Sequence, residues 1–203
     1  MNIPWNERYG SAEYYYGEEP NAFIREQAHH LDNCRNIVAF AEGEGRNAVY
    51  LARAGHQVTA IDYSENGLIK TEKLAHKYNV RVHTKQANLL TDHIAQQEYD
   101  AAIMVFGHFH QRDQGLIVNN LKQAVKPGGI IMLEVYSKMQ LRYGTGGPPD
   151  IEMLYDPAEL LAWCKELEVL HFYYGEQNRV EGKGHTGLAH VIQVIARHHS
   201  ATI

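Results

Sequence analysis

The sequence predicts an α/β fold, a mostly parallel sheet with helices on both faces. Short apolar runs alternate with longer amphipathic stretches through the middle of the chain, the pattern of βαβ units. The run 101–106 is apolar without alternation, as a strand covered on both faces is. A glycine-bearing turn follows the first apolar run, where a strand would hand over to a helix. The 203 residues suit one domain with an appendage.

Residues 1–33 read as an N-terminal extension. Trp5, Tyr9, Tyr14, Tyr15 and Tyr16 come first, then a helix starting near Pro20, and the segment is expected to lie as a lid over the site. Residues 34–203 form the main domain. Its first strand is expected over 35–41, carried by Ile37, Val38 and Phe40. A helix over 47–54 turns Val49, Leu51 and Ala52 to the sheet and ends at Gly55. The second strand spans 57–62. Ser64 caps the next helix, to about Tyr78, with Glu65 in its first turn. Strands over 80–85 and 99–106 follow, then a helix over 113–125. Lys126-Pro127-Gly128-Gly129 has turn composition before a fifth strand over 130–136. Residues 137–155, with Gly144-Thr145-Gly146-Gly147-Pro148-Pro149, are expected as a surface loop near the site. Asp156, Pro157 and Glu159 occupy N-cap, N1 and N3 of a helix running to about Cys164. Runs 168–174 and 189–196 are expected as an antiparallel pair at the sheet edge, joined by a polar connection.

Composition removes several functions. The net charge of −5 gives no basic footprint for nucleic acid and disfavours a purely electrostatic hold on anionic lipid. No apolar run approaches a membrane span, and residues 1–10 lack the apolar core of a signal peptide. Cys34 and Cys164 make no disulfide framework and no CxxC exists, which fits a reducing, cytoplasmic setting. The 13 histidines show no zinc spacing, so no metal is expected. A small-molecule substrate remains, on a monomer or homodimer.

The turn Gly43-x-Gly45 lets a ligand approach the backbone, and the helix start behind it favours a negative group. Asp62 closes the second strand, where a carboxylate can accept from two ribose hydroxyls. Together they describe an adenosine-binding crevice. Gly43-x-Gly45-x-x-Ala48 also meets the loose dinucleotide fingerprint, so an NAD(P)-dependent oxidoreductase is a rival reading. No tyrosine has a lysine four positions on, which short-chain dehydrogenases would add.

At these residues the chain resembles the class I S-adenosylmethionine-dependent methyltransferases, most nearly the tellurite-resistance-type branch. The resemblance covers nearly the whole chain. It rests on Trp5 with Arg8-Tyr9, on Tyr16-Gly17 and Pro20-Asn21, and on the loop Ala41-Glu42-Gly43-Glu44-Gly45-Arg46-Asn47. Asp62, Lys126-Pro127-Gly128-Gly129, Thr145-Gly146-Gly147-Pro148 and Glu181-Gly182 complete it. It implies a Rossmann-like seven-stranded sheet with an antiparallel last strand. It also implies S-adenosyl-L-methionine as methyl donor, S-adenosyl-L-homocysteine as product, and a thiol or a tellurium or selenium oxyanion as acceptor. By resemblance, the loop from Ala41 through Gly43 and Gly45 to Arg46 lies along the methionine part, and Asp62 holds the ribose. Tyr63 packs on the adenine, and Asn88 and the Leu89 backbone read its edge. Phe106 and Gly107 border the sulfonium and the acceptor. Ala39 and Ala41 depart from a usual acid and a usual glycine, so Ala41 must take a conformation that tolerates its Cβ, and Glu42 is a candidate to supply the carboxylate for the methionine amino group.

A sulfonium suits electron-rich rings, and Tyr9 and Tyr16 are candidates to provide them. His108 follows the fourth strand at the substrate mouth and is a candidate proton acceptor, with His110 beside it. The resemblance places the segment bearing Arg179 and His185 over the substrate pocket, where Arg179 would bind an oxyanion. Tyr136 and Gln140 are candidate lining residues. A non-catalytic module that binds the donor is the second rival reading.

Overall fold

In the computed structural model, residues 5–199 are described; residues 1–4 and 200–203, the outer ends of the two predicted segments, lie outside them. The seven strands are β1 (Asn36–Phe40), β2 (Gln57–Asp62), β3 (Val82–Gln86), β4 (Tyr99–Val105), β5 (Val125–Tyr136), β6 (Glu168–Glu181) and β7 (His185–Arg197). The sheet order is β3-β2-β1-β4-β5-β7-β6. Neighbours from β3 to β5 pair in parallel, and β7 runs antiparallel between β5 and β6. The expected sheet, with its antiparallel last strand, is what forms.

The helices are α1 (Trp5–Arg8), α2 (Ala22–Glu26), α3 (Arg46–Arg53), α4 (Glu65–Lys77), α5 (Gln111–Ala124) and α6 (Pro157–Trp163). Period-2 alternation along β1 divides the core. Val38 and Phe40 pack with Ile117, Leu121 and Leu160 of α5 and α6, while Ile37 and Ala39 pack with Val49, Leu51 and Leu74 of α3 and α4. Both faces of the strand are therefore buried, which is why its sequence is continuously apolar.

Three departures from the sequence reading are larger than a residue or two at an element's end or bear on the site. Lys126-Pro127-Gly128-Gly129 is not a separate turn. It lies inside β5 as an irregularity between the pairs Tyr99↔Val125 and Ala101↔Ile130, with Gly128 at φ 82°. The helix after β4 starts at Gln111 rather than Asp113, because His110 is its N-cap and accepts from the Arg112 N–H through Nδ1 (3.4 Å). The polar connection between the last strands is itself strand. β6 and β7 pair from Glu168↔Arg197 to Glu181↔His185, so Arg179 and His185 lie on a long hairpin rather than in a loop. Polar alternation hid this, since the residues that the outer half of the hairpin buries are Arg179, Glu181 and His185 rather than apolar ones.

Candidate active site

The chain leaves β1 to form β2 on one side, while β4 lies on the other. The crevice opens where the carboxyl ends of β1 and β4 diverge, the position at which open α/β sheets bind ligands. Both strands end there in a left-handed residue, Ala41 at φ 49° and Phe106 at φ 53°. Each costs about 1–2 kcal/mol for a residue with a Cβ. Ala41 thus takes the conformation its sequence position demanded, at that cost.

A cavity fills the crevice, with about 770 Å³ of atom-free space including its open mouth. Ala41, Glu42, Arg46 and Asn47 line it from the β1–α3 turn, and Asp62 and Tyr63 from the end of β2. Ala87, Asn88 and Leu89 come from the segment after β3. Phe106, Gly107, His108 and Phe109 follow β4, and His185 starts β7. Trp5, Tyr9 and Tyr16 of the N-terminal segment complete the wall.

Asp62 is buried, and its carboxylate accepts from the Gly43 N–H at Oδ2 and the Ser64 N–H at Oδ1, both 2.8 Å, with the Tyr63 backbone N–H as a further donor. Each oxygen keeps accepting capacity toward the cavity. Burial raises the Asp62 pKa, opposed by those backbone donors. Glu42 Oε1 accepts from Asn47 N–H (2.9 Å) and Ala48 N–H (2.8 Å), doing for α3 what an N-cap side chain does. Burial pushes its pKa up to about 7. Gly43 and Gly45 do not line the cavity. Gly43, at φ 63°, leaves room for Tyr9, whose hydroxyl would lie 2.7 Å from an added Cβ; Gly45, at φ 86°, leaves room for Thr71.

The other end of the cavity is a set of rings. Phe106 stacks on Tyr136 (centroids 4.3 Å, 20°) and meets His185 edge-on (4.3 Å). Trp5 stacks on His108 (6.0 Å, 15°), and Tyr16 tilts against His185 (4.3 Å). His185 is buried and neither ring nitrogen has a hydrogen-bond partner in the described residues; the Tyr136 hydroxyl has none either. Burial, with Arg46 and other cations nearby, holds His185 well below the usual imidazole range. His108 keeps some contact with solvent through the cavity, and burial together with Arg8 lowers its pKa to about 3. Burial likewise raises Tyr9, and raises Tyr16 to about 12.

Several candidates stand elsewhere. Arg179 is buried behind the cavity, ion-paired with Glu134 and 3.8 Å from Glu181, so its guanidinium is already held by carboxylates. Tyr136 lies beneath Phe106 rather than on the wall. Gln140 is buried in bonds to Thr145, Gly146 and His190. His110 is half-exposed at the α5 start, 3.6 Å from Glu152. Trp5, Asn47, Ala87, Val105 and Phe109 line the cavity and were not singled out from sequence. Of these, Trp5 carried a signal as part of the opening Trp-x-x-Arg-Tyr, and Asn47 as the end of the loop 41–47.

Residues 37–129 match the family described as a methyltransferase domain. A relative from Haemophilus influenzae, described as a probable S-adenosyl-L-methionine-dependent methyltransferase TehB, is 25% identical over 156 residues, covering 72% of this chain and 54% of the relative. The chain thus spans about half the length of the curated relatives it matches. The solved structure of TehB from Haemophilus influenzae superposes with a TM-score of 0.71 at 20% identity, over 96% of this chain and 65% of that one. A structure reported for the conversion of a disulfide bond into a thioacetal group in echinomycin biosynthesis gives 0.73 at 16% identity, over 96% and 88%. The structural matches show the fold, and the sequence matches bear out the resemblance to class I methyltransferases of the tellurite-resistance type.

Proposed function

We infer that this chain, whose residues 37–129 carry the methyltransferase domain, transfers a methyl group from S-adenosyl-L-methionine to a small acceptor. The observation that carries the reading is the convergence of the Ala41–Asn47 turn, Asp62 and the Asn88–Leu89 segment on one cavity at the switch point of the sheet. The donor set fits the group. Asp62 has accepting capacity for ribose hydroxyls, Tyr63 and Leu89 flank the space for a base, and the buried carboxylate of Glu42 suits an ammonium. When bound, the donor supplies an electrophilic methyl on a sulfonium.

The chain's own residues then align and desolvate the reactants. Phe106, Tyr16 and Trp5 place ring faces at the acceptor end, each worth about 0.5–2 kcal/mol toward a cation. Orientation of donor and acceptor supplies up to ~7–11 kcal/mol in favourable cases. His108 and His185 line that end and are held neutral by burial and the cations nearby. Arg179, which the sequence placed on the substrate, acts from behind the wall by holding Glu134 and Glu181. The branch points to a thiol or a tellurium or selenium oxyanion as acceptor. Trp5, Tyr9 and Tyr16 form the roof through which both reactants pass.

Thermal-shift titration tests this. A true ligand at 100-fold its dissociation constant stabilises by ~2.7 kcal/mol. S-adenosylmethionine and S-adenosylhomocysteine are expected to raise Tm in the wild type and not in Asp62→Ala. Stabilisation by NAD or NADP instead would move the protein to the oxidoreductases.

A further inference from the structure

The N-terminal segment brings one cation to the acceptor end. Arg8, the last residue of α1, is half-buried, with its guanidinium 4.7 Å from the Trp5 ring centroid and 5.0 Å from that of Tyr15. It donates to the Tyr16 hydroxyl. Trp5 and Tyr16 both line the cavity, so Arg8 stands one ring behind its wall. Among the described residues no carboxylate pairs with it, whereas Arg46 pairs with Glu181 (2.7 Å), Lys70 with Glu44 (2.6 Å) and Arg179 with Glu134.

The other titratable groups at this end carry no charge. Burial holds Tyr9 from the same segment and Tyr136 from β5 protonated, and holds His108 after β4 and His185 on β7 neutral. Arg46 of α3 is charged and matched by Glu181. The histidines do not serve as bases. A thiol ordinarily titrates near 8.5 and His108 at about 3, so that transfer is uphill by roughly five powers of ten. Both His185 ring nitrogens are buried. An acceptor that must lose a proton therefore loses it to water before it binds, and the anion then gives up its hydration among rings and needs a replacement partner.

We propose that the acceptor enters already anionic at its reacting atom, as a thiolate or an oxyanion, and that Arg8 receives this charge through the Tyr16 hydroxyl. This rests on the methyltransferase reading above. Arg8 is a positioning residue here. The Tyr16 oxygen accepts from the guanidinium and keeps its own proton to donate, and a donor polarised by a cation holds an anion more strongly. For a thiolate the step balances without a further reactant. A lone pair of the acceptor sulfur forms the new sulfur–carbon bond as the carbon–sulfur bond of the donor breaks. The electron pair of the broken bond stays on the donor sulfur, which becomes a neutral thioether. The negative and the positive charge cancel, and no proton moves.

The probes are 2-mercaptoethanol, the more acidic trifluoroethanethiol, and selenite. S-adenosylhomocysteine formation is followed by chromatography at saturating donor, and donor binding is read separately by calorimetry, which also supplies the active fraction of each protein. For the thiols kcat/KM is expected to rise with pH, with an inflection that moves down from 2-mercaptoethanol to trifluoroethanethiol, because it belongs to the acceptor. One inflection common to both thiols means that a group of the protein takes the proton, and overturns the proposal. Turnover of the thiols assigns the anion to a thiolate and turnover of selenite alone to an oxyanion; donor binding with turnover of none overturns it. Arg8→Gln is expected to lower kcat/KM for the acceptor at least about 10-fold, leaving the inflection in place and the donor Kd within about threefold. Arg8→Lys keeps the charge and is expected to recover to within about threefold of the wild type. Donor binding lost in step with turnover, or a lysine variant no better than the glutamine, makes Arg8 a prop of the roof alone and overturns its role. Failure of the wild type to bind the donor removes the methyltransferase reading itself.

Discussion

Glu42 holds two helix N–H groups on one oxygen while burial works against its charge, and only part of that cost is offset by Arg46. Its pKa in the fold is about 7 against an ordinary 4.5. The folded state therefore binds more protons than the unfolded one between those values, and stability from this group is full below 4.5 and declines as pH rises through 7. A displacement of that size corresponds to about 3 kcal/mol. His108 works in the opposite sense. Its pKa in the fold is about 3 against 6.5, so its contribution is full above 6.5 and is lost as pH falls toward 3. Glu42→Gln keeps an oxygen for Asn47 and Ala48 but cannot ionise. Urea unfolding at pH 5 and pH 8 is expected to show the variant losing less stability on going to the higher pH than the wild type does. Parallel behaviour of the two proteins would remove the buried charge as the cause. At this scale the sequence was informative where a residue's neighbours in the chain make its role. The place of Asp62 at the end of β2 and the left-handed turn at Ala41 were legible for that reason, whereas Gly43, expected beside the ligand, makes room for Tyr9 instead. Arg179 was not, because its carboxylate Glu134 stands 45 positions away on another strand.

The N-terminal roof is held over the cavity at several points, among them the Trp5 N–H on the Tyr63 hydroxyl (3.3 Å), the Tyr15 N–H on Glu44 (2.8 Å) and the Asn6 side chain of α1. Asn6 Oδ1 accepts from the Ser64 hydroxyl and the Asn66 N–H, both 3.0 Å, and its backbone oxygen accepts from Asn66 Nδ2 (2.8 Å). Ser64 is the N-cap of α4 and stands two residues after Asp62, so the roof and the shelf bearing the Asp62 carboxylate share one helix start. Asn6→Ala removes two hydrogen bonds, about 1–2 kcal/mol in sum at partly exposed positions. If the roof closes over bound donor, the Kd for S-adenosylmethionine rises roughly 5- to 30-fold, seen in a faster off-rate by Trp5 fluorescence, with little change in the Tm of the free protein. An unaltered off-rate would mean that the roof does not retain the donor. The elements that make this shelf were legible because each advertises its own ends: the apolar runs of β1, β2 and β4, Ser64 as a cap, Asp156 and Pro157 opening α6. The outer half of the last hairpin and the 126–129 irregularity were not. Both exist through pairing with a partner strand, and polar or turn-forming residues accept such pairing without announcing it.

Across the whole molecule, a chain of buried polar groups ties the N-terminal segment to the far half of the sheet. Asn21 is completely buried; its amide donates to Glu134 Oε1 (2.8 Å) and Glu181 Oε1 (3.1 Å), while its oxygen caps α2 through the Ile24 N–H (3.1 Å). Glu134 also accepts from Gln193 (2.6 Å), and Glu44 accepts from the Tyr15 N–H (2.8 Å). One asparagine thus serves a helix cap and two carboxylates at once. Its two duties separate by substitution. Asn21→Ala loses the cap and leaves the carboxylates short of a donor, about 2–4 kcal/mol together. For a chain of this size that lowers Tm by roughly 4–16 °C. Asn21→Asp preserves an oxygen for the Ile24 N–H but sets a third carboxylate against Glu134 and Glu181 in a buried place. If Asn21 is chiefly a cap, the aspartate variant melts near the wild type and well above the alanine. If it is chiefly the donor that neutral packing of two carboxylates demands, aspartate melts below alanine. The second order is expected, because a cap is worth about 1 kcal/mol and a repulsive buried charge costs several. The segment bearing the roof tyrosines is then fixed through Asn21 to the same carboxylates that pair with Arg46 and Arg179 behind the cavity wall.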